Sequence, residues 1–156
     1  MKYRSFLSII FAAVILALCV TAGVAQEVNA TIANDPITER STIKGILLLS
    51  IPEGLHVNSN KPSSEYLIAT SVRFLGDGIR VEEVRYPEGR DRKFQFSDTE
   101  LNIYEGEISI PFTIRISKAV RGKQVSMKAI VRYQACTDEV CYPPRKTEVL
   151  FTGKVR

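Results

Sequence analysis

The sequence predicts an all-β fold, an immunoglobulin-like antiparallel β-sandwich, and three observations carry that prediction. Apolar residues alternate through Ile108, Ile110, Phe112, Ile114 and Ile116, and again through Val125, Met127, Ala129, Val131 and Tyr133. That spacing puts every second side chain on one face of a strand. Turn signals rich in Gly, Pro, Asn and Asp recur roughly every ten residues, enough for about seven or eight short strands. Past residue 25, no stretch has the apolar periodicity of a helix.

Taken in order, the chain begins with Lys2 and Arg4, then a nearly unbroken apolar run from Phe6 to Val20, then the small residues Gly23-Val-Ala25. These are the parts of a cleavable signal peptide over residues 1–25, with cleavage before Gln26. The apolar run falls short of the ~20 residues a membrane anchor needs. Leu16-Ala-Leu-Cys19 begins like a lipoprotein signal, but Leu18 is not the small residue such a signal wants, so Cys19 reads as apolar filler. The expected location is periplasmic, or otherwise exported. Residues 26–40 are polar and aperiodic and read as a flexible lead-in; residues 41–156 form the domain.

Ser41 to Ile51 is the first strong strand, apolar on both faces from Gly45 onward, as in the centre of a sandwich. Pro52-Glu-Gly54 stops it. Leu55 to Pro62 is a short extended piece, Tyr66 to Phe74 a strand, Gly76-Asp-Gly78 a hairpin signal and Ile79 to Tyr86 a further strand. Pro87 to Arg92 reads as a polar turn, and Phe94 to Leu101 is irregular. Leu101 to Tyr104 and Glu107 to Ser117 are strands, with Pro111 marking an edge or a bulge. Arg121-Gly-Lys123 turns the chain into the run ending at Tyr133, and Thr147 to Phe151 closes the set.

Composition narrows the function. The net charge of +4 becomes +2 once Lys2 and Arg4 leave with the signal segment, and the remaining basic residues sit among acids, as in Arg80-Val-Glu-Glu-Val-Arg85. That is no footprint for nucleic acid. Two mature thiols and a single histidine, His56, do not make a four-ligand zinc site. No cofactor is expected. A thiol-based metallochaperone is disfavoured because no methionine or histidine accompanies the cysteines.

The chemistry concentrates in Tyr133-Gln-Ala-Cys136-Thr-Asp-Glu-Val-Cys141-Tyr-Pro-Pro144. In an exported protein, Cys136 and Cys141 have only one possible pairing and should be oxidised unless a dedicated reductant reaches them. Closing so short a loop removes only about 2 kcal/mol of unfolded-state entropy. Spacing alone leaves two readings open, a structural hairpin clip and an exchanging disulfide. Pro143-Pro144 fix an extended exit from the loop. Asp138 and Glu139 place negative charge beside the thiols, which disfavours thiolate formation.

The wider stretch resembles the amino-terminal domain of the thiol:disulfide interchange protein DsbD. In that family a Tyr-Gln-(Gly/Ala)-Cys segment and a Cys-(Tyr/Leu)-Pro-Pro segment carry a redox pair on an immunoglobulin-like fold. Pro52-Glu-Gly-Leu-His-Val-Asn-Ser-Asn-Lys-Pro62 and Tyr104-Glu-Gly-Glu-Ile-Ser-Ile-Pro111 agree with it. The resemblance implies a protein-disulfide reductase component. It would be reduced by a thioredoxin-like domain or membrane electron transporter, and would in turn reduce oxidised periplasmic proteins. It also implies that Cys141 forms the mixed disulfide and Cys136 resolves it. A cap loop corresponds to Phe94–Leu101, with Phe94 or Phe96 as the lid, and Tyr133 and Tyr142 are candidates for an apolar, partner-facing rim.

The chain departs from the family pattern in its four-residue loop between the cysteines. It also has Leu55-His-Val-Asn58 where the best-studied member has tyrosines; His56 there has two readings, a structural or solvent-facing residue and one that tunes a thiolate. Transmembrane segments and a thioredoxin-like domain are not in this sequence, so separate proteins are expected to supply them. The competing expectation is a non-redox binding or assembly module of the same fold.

Overall fold

The computed structural model describes residues 28–39, 42–117 and 124–154; the expected signal segment and the turn at 121–123 lie outside them. Among these residues the chain forms strands β1 (Asn29–Glu39), β2 (Thr42–Ser50), β3 (His56–Asn58), β4 (Ser71–Leu75), β5 (Ile79–Val84) and β6 (Arg90–Arg92). These are followed by β7 (Leu101–Tyr104), β8 (Glu107–Ile116), β9 (Gln124–Tyr133), β10 (Ala135–Cys136) and β11 (Arg145–Lys154), with no helix. One sheet has the order β1-β2-β8-β5, a second β10-β3-β7-β6 and a third β11-β9-β4, all pairs antiparallel. Because β9 runs through Gln134 into β10, the last two sheets share one continuous piece of chain. The result is an immunoglobulin-like antiparallel sandwich.

Alternation translates directly into burial. Ile110, Phe112, Ile114 and Ile116 of β8 and Ile43, Leu47 and Leu49 of β2 belong to one core cluster with Val125, Met127, Ala129, Val131 and Tyr133 of β9. Gly45 interrupts the buried face of β2, and its ladder partner Phe112 fills the gap. A β-carbon at Gly45 would sit 2.5 Å from the Phe112 ring, so the aromatic and the glycine form one packing unit.

Pro111 lies in a central strand, neither at an edge nor at a bulge of its own. Its carbonyl accepts from Arg85 N–H at 2.9 Å, just past the end of β5. N and C=O of one strand residue point the same way in an antiparallel ladder, so the missing donor falls where that ladder stops.

Four further expectations are corrected. Residues 26–40 are not a flexible lead-in, because Asn29–Glu39 pairs with β2 from Asn29↔Ser50 to Glu39↔Thr42, with an irregularity between Ala33 and Ile37. As an edge strand it needs one partner only, and Val28, Ala30 and Ile32 supply a short period-two stripe against the core. The strand expected from Tyr66 begins only at Ser71, leaving Tyr66 88% exposed. The expected turn at 87–92 ends in β6, which pairs with β7. Gly76–Gly78 makes no hairpin: β4 pairs with β9 and β5 with β8, so this segment carries the chain between layers. Gly78, at φ +67°, takes the left-handed conformation the crossing requires.

Candidate functional site

Parity along one small sheet creates the site. Ala135, Val57 and Tyr104 are ladder neighbours in β10-β3-β7, and all three side chains enter the sandwich core. One residue along, Cys136 pairs with His56, so these two side chains rise together from the opposite face. Asn58, Ile103, Leu101 and Arg92 follow on that face through the pairs Asn58↔Ile103 and Arg92↔Leu101. A second, smaller cluster covers it, made of Phe94, Leu101 and Ile103 with Leu67 against them.

The cysteines are joined, Cys136 to Cys141, with Cα atoms 4.0 Å apart. Thr137 N–H donates to the Val140 carbonyl and Tyr142 N–H to the Ala135 carbonyl, both at 2.8 Å. These bonds flank the isolated bridge Cys136↔Cys141, making it the kind of pair that exchanges no backbone bond and brings side chains closest. Thr137 Oγ1 accepts from Val140 N–H at 3.1 Å and Glu139 N–H at 3.2 Å, so a hydroxyl turn closes the loop. Gln134 Nε2 donates to the Tyr142 carbonyl at 3.0 Å, holding the exit segment.

Burial divides the two sulfur-bearing residues sharply. Cys136 is 1% exposed, whereas Cys141 is exposed. Around Cys141 the surface is apolar for a loop, with Val140 53% and Tyr142 45% exposed.

The lid is a stack. Phe94, buried, lies on the His56 ring with centroids 4.3 Å apart, and Phe96 lies on Phe94 at 5.3 Å. Phe96 is the outer, half-exposed plate. Arg92 sits 5.0 Å from the Phe94 centroid, pairs with Glu105, and reaches both carboxylate oxygens of Asp138 at 3.4 Å. One guanidinium thereby joins the aromatic stack to the loop between the cysteines and offsets the Asp138 charge.

His56 is 1% exposed, and its Nε2 is buried without a hydrogen-bond partner. Burial pushes its pKa below the usual histidine value. Glu105 and Asp138 pull upward and Arg92 downward, with burial the largest influence.

The structure therefore sets Cys136 beside His56, stacks Phe94 and then Phe96 outward from that histidine, and leaves Cys141 and Tyr142 exposed at the loop. Tyr133 is the exception. It is 1% exposed and its hydroxyl donates to the Val28 carbonyl at 3.3 Å, so it is a core residue and faces no partner. Its odd-numbered parity with Val125 and Val131 already signalled the inward face. Arg92 and Glu105 escaped the sequence reading because a three-residue strand such as β6 has no pattern to read; only its register on β7 places them.

Fold and site define a class: an immunoglobulin-like domain carrying a disulfide on the outer face of one sheet, beside a histidine stacked under two aromatic rings. The sequence matches the family model for the amino-terminal region of thiol:disulfide interchange protein DsbD over residues 26–153. The chain belongs to that family. No curated protein matches it. Among solved structures, the N-terminal periplasmic domain of ScsB from Proteus mirabilis superposes with a TM-score of 0.55 at 14% identity, over 80% of this chain and 44% of that one. This chain thus spans less than half of that structure. A weaker likeness, TM-score 0.43 at 12% identity over 80% and 86% of the two chains, is to the GAE domain of GGA2p from Saccharomyces cerevisiae. No helix among the described residues is long and apolar enough to cross a membrane.

Proposed function

We propose that this domain is an exported electron carrier, passing reducing equivalents from a thioredoxin-like or membrane partner to disulfides of periplasmic proteins through Cys136 and Cys141. The observation that carries the reading is the unequal burial of the two cysteines. A thiolate attacking from solvent reaches the Cys141 sulfur and displaces the Cys136 sulfur, which leaves into a covered site. A second partner thiolate then attacks the mixed disulfide, releasing the reduced domain and the oxidised partner. In the opposite direction, the Cys141 thiolate attacks a client disulfide, and Cys136 closes the internal bridge and frees the reduced client. The apolar N-terminal segment and the periplasmic source of the similar ScsB domain support export.

Tyr142 and Val140 offer the partner an apolar contact beside Cys141, and Phe94 with Phe96 limits access until a partner displaces the outer ring. The test is covalent trapping. Cys136→Ala is expected to accumulate a mixed disulfide through Cys141 with a thioredoxin-like protein, while Cys141→Ala traps none. A wild-type bridge that resists millimolar dithiothreitol under native conditions, with no trapped partner, would leave only the structural clip.

A further inference from the structure

Closing the internal bridge poses a proton problem at a buried sulfur. While Cys136 waits as a thiol it is covered by the sheet and the lid, where an uncompensated thiolate is costly. To attack, it must lose a proton to something within the same enclosure. Among the described residues, one buried side-chain atom lacks a hydrogen-bond partner, His56 Nε2. His56 is the ladder partner of Cys136, so imidazole and thiol stand side by side on one face. Phe94 stacks on the imidazole and keeps solvent from it.

We propose that His56 is the acid–base partner of Cys136, taking the thiol proton on Nε2 as the bridge closes and returning it as the bridge opens. The inference rests on the exchange reading above and adds the route of the proton. In the closing step the Cys136 S–H bond breaks and the proton moves to Nε2. The sulfur electron pair then forms the bond to Cys141 Sγ. The bond from Cys141 to the client sulfur breaks, and that sulfur leaves as a thiolate with the bonding electrons. The imidazolium proton then passes to the departing thiolate or to solvent. Two electrons have moved from the domain to the client.

The charges facing His56 suit the task. Glu105, just past β7, and Asp138, in the cysteine loop, favour the transient imidazolium, while Arg92 of β6 and burial oppose it. The balance leaves the resting imidazole neutral and able to accept a proton at physiological pH.

The experiment separates two phases. Reduced full-length protein is mixed with dithionitrobenzoate. The first nitrothiolate released reports attack by Cys141, and the second reports closure by Cys136. In His56→Gln the first phase is expected to keep its rate, and the second to slow at least tenfold near neutral pH, as for loss of a general base. The second phase should also become proportional to hydroxide. In the wild type it should be nearly flat from about pH 7 to 8, above the histidine transition.

Phe94→Leu, which keeps the imidazole but loses its stacked ring, should retain the flat profile; a hydroxide-proportional second phase there would mean that packing sets the profile and would overturn the role. An unchanged second phase in His56→Gln overturns it as well and leaves the carrier reading standing. If that variant does not fold, the wild-type profile decides, since a rise of about tenfold per pH unit throughout is plain thiolate chemistry without a base. Absence of any second release in the wild type overturns the carrier reading itself.

Discussion

The two faces of the sheet β10-β3-β7-β6 differ in kind although neighbouring residues supply them. Ala135, Val57 and Tyr104 face inward and are part of the single large core that spans the sandwich. Cys136, His56 and Ile103 face outward, where a loop lays Phe94 on His56 and packs it with Leu101 and Ile103. The inner face is enclosed by strands locked in ladders, whereas the outer one is enclosed by a segment with few backbone bonds. Stability should therefore be governed from one side of the sheet and disulfide reactivity from the other.

The sharpest way to break that division is on the inner face. Tyr104→Ala is expected to cost about 3–5 kcal/mol, as other large buried aromatics do, read as a lower urea midpoint. Its rate of bridge reduction by dithiothreitol, measured well below the unfolding transition, should hardly change. On the outer face the order reverses. Phe94→Ala should raise the dithiothreitol reduction rate roughly tenfold, the equivalent of about 1.4 kcal/mol of lost cover, with a smaller fall in midpoint than Tyr104→Ala. Equal rate increases in both variants would erase the distinction.

Smaller effects sharpen it. Arg92→Ala loses ion pairs that are partly open to water, each worth about 0.2–1 kcal/mol. Bridge reduction should therefore speed up only about two- to fivefold, and high salt should bring the wild type toward the variant. The smallest expected effect is a pH slope. Because burial holds His56 below the ordinary histidine value of 6.5, the unfolded chain takes up the proton first as the pH falls through that value. Stability should decline across the window between the unfolded and folded pKa values and level off beneath it. Urea midpoints of the wild type minus those of His56→Gln isolate the contribution; a difference that does not vary with pH would contradict it.

Sequence pattern made the long strands legible because burial on one face forces alternation, as in β8 and β9. It failed where burial is partial or the element is short. In β1 the stripe Val28, Ala30, Ile32 was present but brief, and what holds that edge is its backbone pairing to β2. The cysteine pair and the aromatic loop could be found from local sequence. The side to which Tyr133 points followed from the parity of its own strand, yet its position beside the cysteine segment suggested the opposite. The Arg92 link depends on β6 meeting β7 and on a loop distant in sequence, and no local pattern carries that information.

The backbone bonds on either side of the cysteine pair, from Thr137 to Val140 and from Tyr142 to Ala135, do not depend on the sulfur–sulfur bond. On the proposed exchange route they would act as a tether while the bridge is open. With the two sulfurs kept within reach of each other, the free Cys136 thiol meets the mixed disulfide at a high effective concentration, without first having to search for it. On the proposed exchange route, a partner bound through Cys141 would then be held only briefly, its lifetime set by proton removal and displacement of the aromatic rings more than by encounter of the sulfurs.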